Sequence, residues 1–132
     1  MSAIFGDTFF YLALLRDDDP AHDRALAALH SNQKIVTTEF VVLEFGNACA
    51  RAADHADFAA LVEAMRRSPR VTIIRLDSEL LDRGIRRMAE RPDKDWSRTD
   101  CISFVVMEDS EILEALTGNQ HFEQAGYVPL LK

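Results

Sequence analysis

The chain has 132 residues, and 48% of them are hydrophobic, which is enough for one domain with a single well-filled core. We therefore expect one domain over residues 1–132. The formal net charge of −7 excludes a protein that coats nucleic acid through a broad basic surface. It does not exclude an enzyme that acts on nucleic acid, because divalent cations can bridge a carboxylate site to phosphate.

Membrane insertion and disulfide bonding are both disfavoured by the sequence. No apolar run approaches the roughly 20 residues that a membrane-spanning helix needs. The first residues also lack the basic region, apolar core and cleavage site of a secretion signal. We expect a soluble, cytoplasmic protein with no membrane partner. Cys49 and Cys101 lie in apolar helical patterns, which is typical of buried thiols.

Short apolar segments alternate with helical patterns along the whole chain. The predicted strands are residues 3–6, 34–37, 71–76, 112–116 and 127–130. The predicted helices are residues 9–15, 20–29, 40 to about 53, 58–65, 80–88 and 97 to about 108, with a small helical piece after residue 117. This alternation predicts an α/β fold, in which a central parallel sheet of about five strands is flanked by helices.

Four oxygen-bearing side chains fall where such a sheet would bring them together. Ligands bind in a parallel α/β sheet at the carboxyl ends of the strands. Asp7 closes the first strand, and Glu44 lies about two turns into the helix after the second. Asp100 opens the helix before the fourth strand, and Asn119 follows that strand. Because Mg²⁺ and Mn²⁺ prefer oxygen ligands, this pattern indicates a metal site at that edge.

Each of these residues also has an ordinary structural explanation. Asp100 has the spacing of a helix-capping pair with Ser97, and Asp7 and Asn119 both suit turns. Glu44 interrupts the apolar run FVVLEF, where a charge on a buried helix face is costly unless it binds a metal or pairs with an arginine. The coincidence of all four at one edge is what favours a metal site.

Four segments of the chain resemble PIN-domain proteins and, more narrowly, VapC-type toxin ribonucleases. They are the opening strand that ends in Asp7 and Thr8, TTEFVVLEFGNA, DWSRTDCISFVVM and LTGNQHFEQAGY. The resemblance implies a five-stranded parallel sheet and an endoribonuclease that cleaves single-stranded RNA with Mg²⁺, or alternatively Mn²⁺. It also implies that the protein is the toxin of a type II toxin-antitoxin pair. Such a protein would bind a small cognate antitoxin and form a homodimer.

The resemblance also assigns roles to individual residues. By position, Asp7, Glu44 and Asp100 correspond to the three central acids, which would hold the metal directly or through water. Asn119 stands where family members commonly have a fourth acid, typically aspartate, and it would either support the metal ligands or act as a neutral ligand itself. An amide keeps a carbonyl oxygen but removes a negative charge, so a second metal should bind more weakly. Thr8 and Ser97 are candidate helpers that orient carboxylates or waters, although both also suit helix caps.

Two further side chains lie near the expected site. We expect Trp96 to pack over the loop before the capped helix, with stacking on an RNA base as the alternative. We expect His121 to lie on a surface helix, with an approach to RNA as the alternative. One rival to the nuclease is a PIN-like binding module that has lost catalysis, as Asn119 suggests. Another is a phosphotransfer or dehalogenase-type enzyme, whose second aspartate is replaced here by Phe9.

Overall fold

Five short strands and seven helices alternate along residues 3–132, the part of the chain that this computed structural model describes. The strands are β1 Ala3–Gly6, β2 Lys34–Thr38, β3 Val71–Ile74, β4 Glu114–Leu116 and β5 Val128–Pro129. The helices are α1 Thr8–Leu15, α2 His22–Leu29, α3 Glu39–Ala48, α4 His55–Arg67, α5 Ser78–Glu90, α6 Arg98–Asp109 and α7 Gln120–Gln124.

All strand pairs are parallel, in the order β3-β2-β1-β4-β5. The carboxyl ends of β1, β2 and β4 therefore meet at the centre of one edge of the sheet. At this edge the buried Thr37 donates a hydrogen bond to the Gly6 carbonyl over 2.7 Å, and Thr38 caps α3 by accepting from the Val41 N–H. The predicted α/β fold with about five parallel strands is confirmed.

The limits of several elements differ from the predicted ones, and the differences at α3, β3 and β4 have local causes. Helix α3 ends at Ala48 rather than near residue 53, because the backbone of Arg51 is extended and a short 3-10 turn, Ala52–Asp54, leads into α4. Strand β3 ends at Ile74 because the Leu76 N–H donates to the Glu39 carboxylate instead of to a strand.

Strand β4 begins at Glu114 rather than at residue 112. Glu111 has a φ of 55°, in the left-handed region that non-glycine residues rarely adopt. The Ile112 N–H then donates back to the Met107 carbonyl over 2.9 Å, so these residues close α6 instead of joining the sheet.

Helix α6 runs through the core and positions the residue at its start. Every residue from 101 to 107 is buried, as expected of a helix that is apolar on most of its faces. The ring of Phe104 packs against Trp96, Phe122 and Tyr127, with centroid distances of 5.0 to 5.7 Å. This packing ties α6 to the loop before it and to α7, so that Asp100 has a fixed place.

Helix α5 packs closely on α6, and Gly84 makes this possible. A Cβ atom at Gly84 would lie 2.3 Å from Cγ1 of Ile102. At the other end of the contact, Arg83 pairs with Asp109 and Arg87 pairs with Glu108. Within the described part of the chain, none of the helices has both the length and the apolar character required to cross a bilayer.

Candidate metal centre

Asp7 lies at the carboxyl end of β1 and is only 3% exposed. It occupies the N-cap position of α1, yet its side chain makes no capping hydrogen bond. Instead, its Oδ2 accepts a hydrogen bond from the Thr117 hydroxyl over 2.8 Å. A turn or cap role therefore does not account for this side chain, which points to the residues that follow β4.

Asp100 is 5% exposed and forms a reciprocal capping box with Ser97 at the start of α6. The Ser97 hydroxyl accepts from the Asp100 N–H, and the Asp100 Oδ2 accepts from the Ser97 N–H, both over 3.1 Å. The same Oδ2 lies 2.8 Å from Nδ1 of His121. Asp100 is thus a helix-capping residue, and it is also joined to α7.

The surroundings of Glu44 differ from the predicted ones. The expectation of a charge on a buried helix face is wrong, because Glu44 is half-buried. Within residues 3–132 it takes part in no ion pair, so no arginine of this region neutralises it. Its carboxylate is near enough to Asp7 for its charge to act on that residue.

Burial raises the pKa of Asp7 to about 7, and the hydrogen bond from Thr117 opposes this rise. The negative charges of Asp100 and Glu44 both raise the pKa further. Asp100 and Glu44, the two other acids predicted from the sequence, therefore both act electrostatically on Asp7. Both charged side chains that act on Asp7 are acidic, and no ion pair among residues 3–132 includes Asp7. Within this part of the chain, the buried carboxylate therefore has no cation to balance it.

Asn119 connects to the acids indirectly. Its side-chain carbonyl caps α7 by accepting the His121 N–H over 2.9 Å. Its backbone N–H donates to the Thr117 hydroxyl over 3.0 Å, and that hydroxyl in turn donates to Asp7. The carbonyl that could serve a metal thus already has a partner within the protein.

The two candidate helpers have different surroundings. Ser97 is exposed and is engaged in the capping box. Thr8 is 7% exposed, and its hydroxyl oxygen is buried without a hydrogen-bond partner among residues 3–132. A buried hydroxyl with no partner beside an unbalanced carboxylate is the kind of atom that a bound water or hydrated cation would satisfy.

These residues fit a hydrated cation better than a closed metal cage. No group of three or more His, Cys, Asp and Glu side chains within residues 3–132 is arranged to hold a metal ion by itself. Mg²⁺ does not require such a group, because it keeps several waters and is commonly held by one or two carboxylates. Asp7 and Asp100 are the two carboxylates that such a cation would use, and the charge at Asp7, which no cation among residues 3–132 balances, favours one there.

Two contacts of the site were missed in the sequence. Thr117 was not singled out, although it directly follows β4 at the edge where ligands were expected. His121 lies on α7, a largely exposed helix as expected, but its side chain is only 22% exposed and contacts Asp100, which the sequence did not indicate. The packing role of Trp96 is confirmed: it is 5% exposed, and its indole N–H donates to Gln124.

Comparisons with known proteins agree with this architecture. A family model of the PIN domain matches residues 4–126. No curated protein matches the chain. The crystal structure of VapC20 from Mycobacterium tuberculosis, described as a toxin that cleaves the sarcin-ricin loop, is similar with a TM-score of 0.84. Its sequence identity is 25%, over 96% of this chain and 97% of that one. Because the family model spans nearly all of the sequence, the chain belongs to the PIN domain family.

Proposed function

We propose that this protein is a metal-dependent endoribonuclease that cleaves single-stranded RNA, with Mg²⁺, or alternatively Mn²⁺, as its cofactor. The observation that carries the proposal is the buried carboxylate of Asp7, on which two further acids act and which no cation among residues 3–132 balances. Such a site costs stability when it is empty and gains it when a divalent cation binds. The likeness to VapC20, a toxin that cleaves RNA, supports RNA as the substrate class.

Each acid has a part that follows from its surroundings. Asp7 and Asp100 would hold the cation, since both are buried and held by hydrogen bonds through one oxygen each. Glu44 is half-buried and has no ion-pair partner in the described region, so it is available to hold a water molecule of the metal shell. When bound, Mg²⁺ supplies a Lewis acid that lowers the pKa of a water nucleophile and stabilises charge on the leaving oxygen.

Asn119 and the two helpers have supporting parts in this proposal. Asn119 orders the residues that contact Asp7 and Asp100, and it leaves the site one negative charge short of four acids. The Thr8 hydroxyl, which has no hydrogen-bond partner among residues 3–132, can hydrogen bond to a bound water, and Ser97 holds Asp100 through the capping box. Because the site has fewer negative charges than a four-acid site, a second metal should bind weakly.

The biological setting that we propose is a type II toxin-antitoxin pair. The structural likeness to the VapC20 toxin supports a small cognate antitoxin as a partner. A homodimer is supported by three exposed apolar side chains at helical spacing on α5, namely Leu81, Ile85 and Met88. Light scattering on the wild type and on Ile85→Glu tests the dimer, and a monomeric wild type would contradict it.

The test of the activity is cleavage of a pooled single-stranded RNA by the wild type and by Asp100→Asn. We expect cleavage in Mg²⁺, none in EDTA, and products with 5′-phosphate and 3′-hydroxyl ends. The asparagine keeps the shape of the aspartate and an oxygen for the capping box, so the variant should fold but not cleave. Cleavage that survives Asp100→Asn would place the active site elsewhere. A folded, metal-binding wild type that cleaves no RNA would favour the binding module.

A further inference from the structure

The segment between β4 and α7 contacts two of the acids at once. Thr117 Oγ1 donates to Asp7 Oδ2 over 2.8 Å, and His121 Nδ1 lies 2.8 Å from Asp100 Oδ2. Asp7 follows β1 and Asp100 opens α6, so the two acids reach the site from separate elements. Within the described residues, 117–121 is therefore the one stretch whose side chains hydrogen bond to both acids.

Asn119 fixes both of these contacts from the middle of the segment. Its backbone N–H donates to Thr117 Oγ1 over 3.0 Å. Since the hydroxyl oxygen accepts that bond, the hydroxyl proton is left to point at Asp7. The Asn119 side chain accepts the backbone N–H of His121 over 2.9 Å, which sets the start of α7 and with it the place of the imidazole.

The two contacts use the same oxygen of each carboxylate. Thr117 occupies Oδ2 of Asp7, and both His121 and the Ser97 N–H occupy Oδ2 of Asp100. Among residues 3–132, no side chain hydrogen bonds to the Oδ1 of either acid. A carboxylate with one oxygen held in this way has a fixed plane, which presents the other oxygen in one direction.

We propose that Thr117, Asn119 and His121 form a carboxylate clamp, in which Thr117 and His121 hold one oxygen of each acid so that the other oxygen is presented to the metal. The inference rests on the proposed function and deepens it. Thr117 and His121 are positioning residues, and Asn119 orders them without being a metal ligand itself. Loss of a residue that hydrogen bonds to a metal-binding side chain commonly weakens metal affinity about 10- to 100-fold.

Matched substitutions separate the clamp from a purely structural role. Thr117→Val keeps the shape of the side chain but loses the hydroxyl, whereas Thr117→Ser keeps the hydroxyl. His121→Leu loses the donor, whereas His121→Asn can place an amide N–H near the position of Nδ1. Gln120 lies in the same segment and is exposed, so Gln120→Ala is the control.

The measurement is the dissociation constant of Mn²⁺ for the full chain, by isothermal titration calorimetry, together with the Mg²⁺ dependence of RNA cleavage. We expect Thr117→Val and His121→Leu to bind metal about 10- to 100-fold more weakly. Thr117→Ser, His121→Asn and Gln120→Ala should stay close to the wild type. Saturating Mg²⁺ should restore much of the cleavage that Thr117→Val and His121→Leu lose at low metal.

The outcomes distinguish the clamp from the proposed function. If the wild type binds Mn²⁺ but Thr117→Val and His121→Leu bind it as tightly, the clamp is wrong and the nuclease assignment stands. If the wild type binds no Mn²⁺ and cleaves no RNA, both are wrong. If Thr117→Val does not fold, the His121 pair decides the matter, because that side chain is partly exposed and its replacement should disturb the core less.

Discussion

Ser97 and Asp100 cap helix α6 reciprocally, and the same Asp100 carboxylate acts electrostatically on the buried Asp7. A capping residue and a site residue were alternative explanations of Asp100 in the sequence. In the structure the capping role does not exclude the site role, because the capping box holds in place the carboxylate that the site requires. This double role leads to predictions that separate stability from activity.

Asp100→Asn and Asp100→Ala should differ in stability but not in activity. Asparagine retains an oxygen for the Ser97 N–H, whereas alanine leaves that group without a partner, so Asp100→Ala should lose about 1 kcal/mol more. Both should reduce cleavage by at least about 100-fold, the scale expected when a group that stabilises the transition state is lost. Urea unfolding and single-turnover cleavage are the measurements. Equal cleavage by Asp100→Asn and the wild type would contradict the assignment.

Ser97→Ala should lower the free energy of unfolding by about 1 kcal/mol, because α6 loses its N-cap oxygen. The Ser97 backbone N–H still donates to Asp100, so cleavage at saturating Mg²⁺ should change much less than in Asp100→Asn. Ser97→Thr, which keeps a capping hydroxyl, is the control. A loss of cleavage as large as that of Asp100→Asn would give Ser97 a direct part in the reaction.

Asp7 should make the metal-free protein less stable as the pH rises. Its pKa is about 7 in the folded state, above its ordinary value of 3.8, so the folded state binds more protons between these values. The contribution of Asp7 to the free energy of unfolding is therefore fully present below about pH 4. It is lost as the pH rises through 7, and the loss is on the order of 4 kcal/mol.

Asp7→Asn removes this dependence. In EDTA at pH 8 the variant should melt at a higher temperature than the wild type, and near pH 4 the difference should largely disappear. Thermal melts across this pH range, followed by circular dichroism, are the measurement. A variant that is less stable than the wild type at pH 8 would show that the ionised Asp7 carboxylate does not destabilise the fold at that pH.

Metal binding should offset the loss of stability that ionised Asp7 causes in the wild type. At 100 times the dissociation constant, Mg²⁺ should stabilise the fold by about 2.7 kcal/mol, provided that only the folded state binds it. Asp7→Asn should gain much less. A melting temperature of the wild type that millimolar Mg²⁺ leaves unchanged at pH 8 would count against a metal at the site.

Gly84→Ala should destabilise the contact between α5 and α6. The added Cβ would lie 2.3 Å from a side-chain carbon of the buried Ile102, which cannot move far inside α6. Overpacking of this kind costs typically 1–3 kcal/mol, and alanine's better helix propensity offsets about 1 kcal/mol of it. Urea unfolding measures the net loss, and the loss caused by Gly84→Ala should be smaller when it is measured against an Ile102→Ala protein. A more stable Gly84→Ala protein would contradict this packing.

The fold was predictable because its signals are local. Alternation of apolar and helical segments indicates a parallel α/β sheet, and the spacing of Ser97 and Asp100 indicates a capping box that the structure contains. The surroundings of Glu44 were not predictable from the run FVVLEF, because apolar neighbours do not show which faces of α3 stay open. Leu43, its immediate neighbour, is 56% exposed.

The partners of the acids were not predictable for a different reason. Thr117 and Asp7 are far apart in sequence, and their contact depends on β4 pairing with β1 in one register. His121 reaches Asp100 only because Phe122 packs on Phe104 and turns α7 towards α6. Such contacts follow from tertiary packing, which no local pattern around a threonine or a histidine indicates.

The location of a bound cation tests the account most directly. Crystals of the protein soaked in Mn²⁺ and measured at its absorption edge would show that location as an anomalous peak. We predict one strong peak in contact with the carboxylates of Asp7 and Asp100, with Glu44 nearby and Asn119 outside the coordination shell. A well-occupied Mn²⁺ elsewhere, with none between Asp7 and Asp100, would contradict the account.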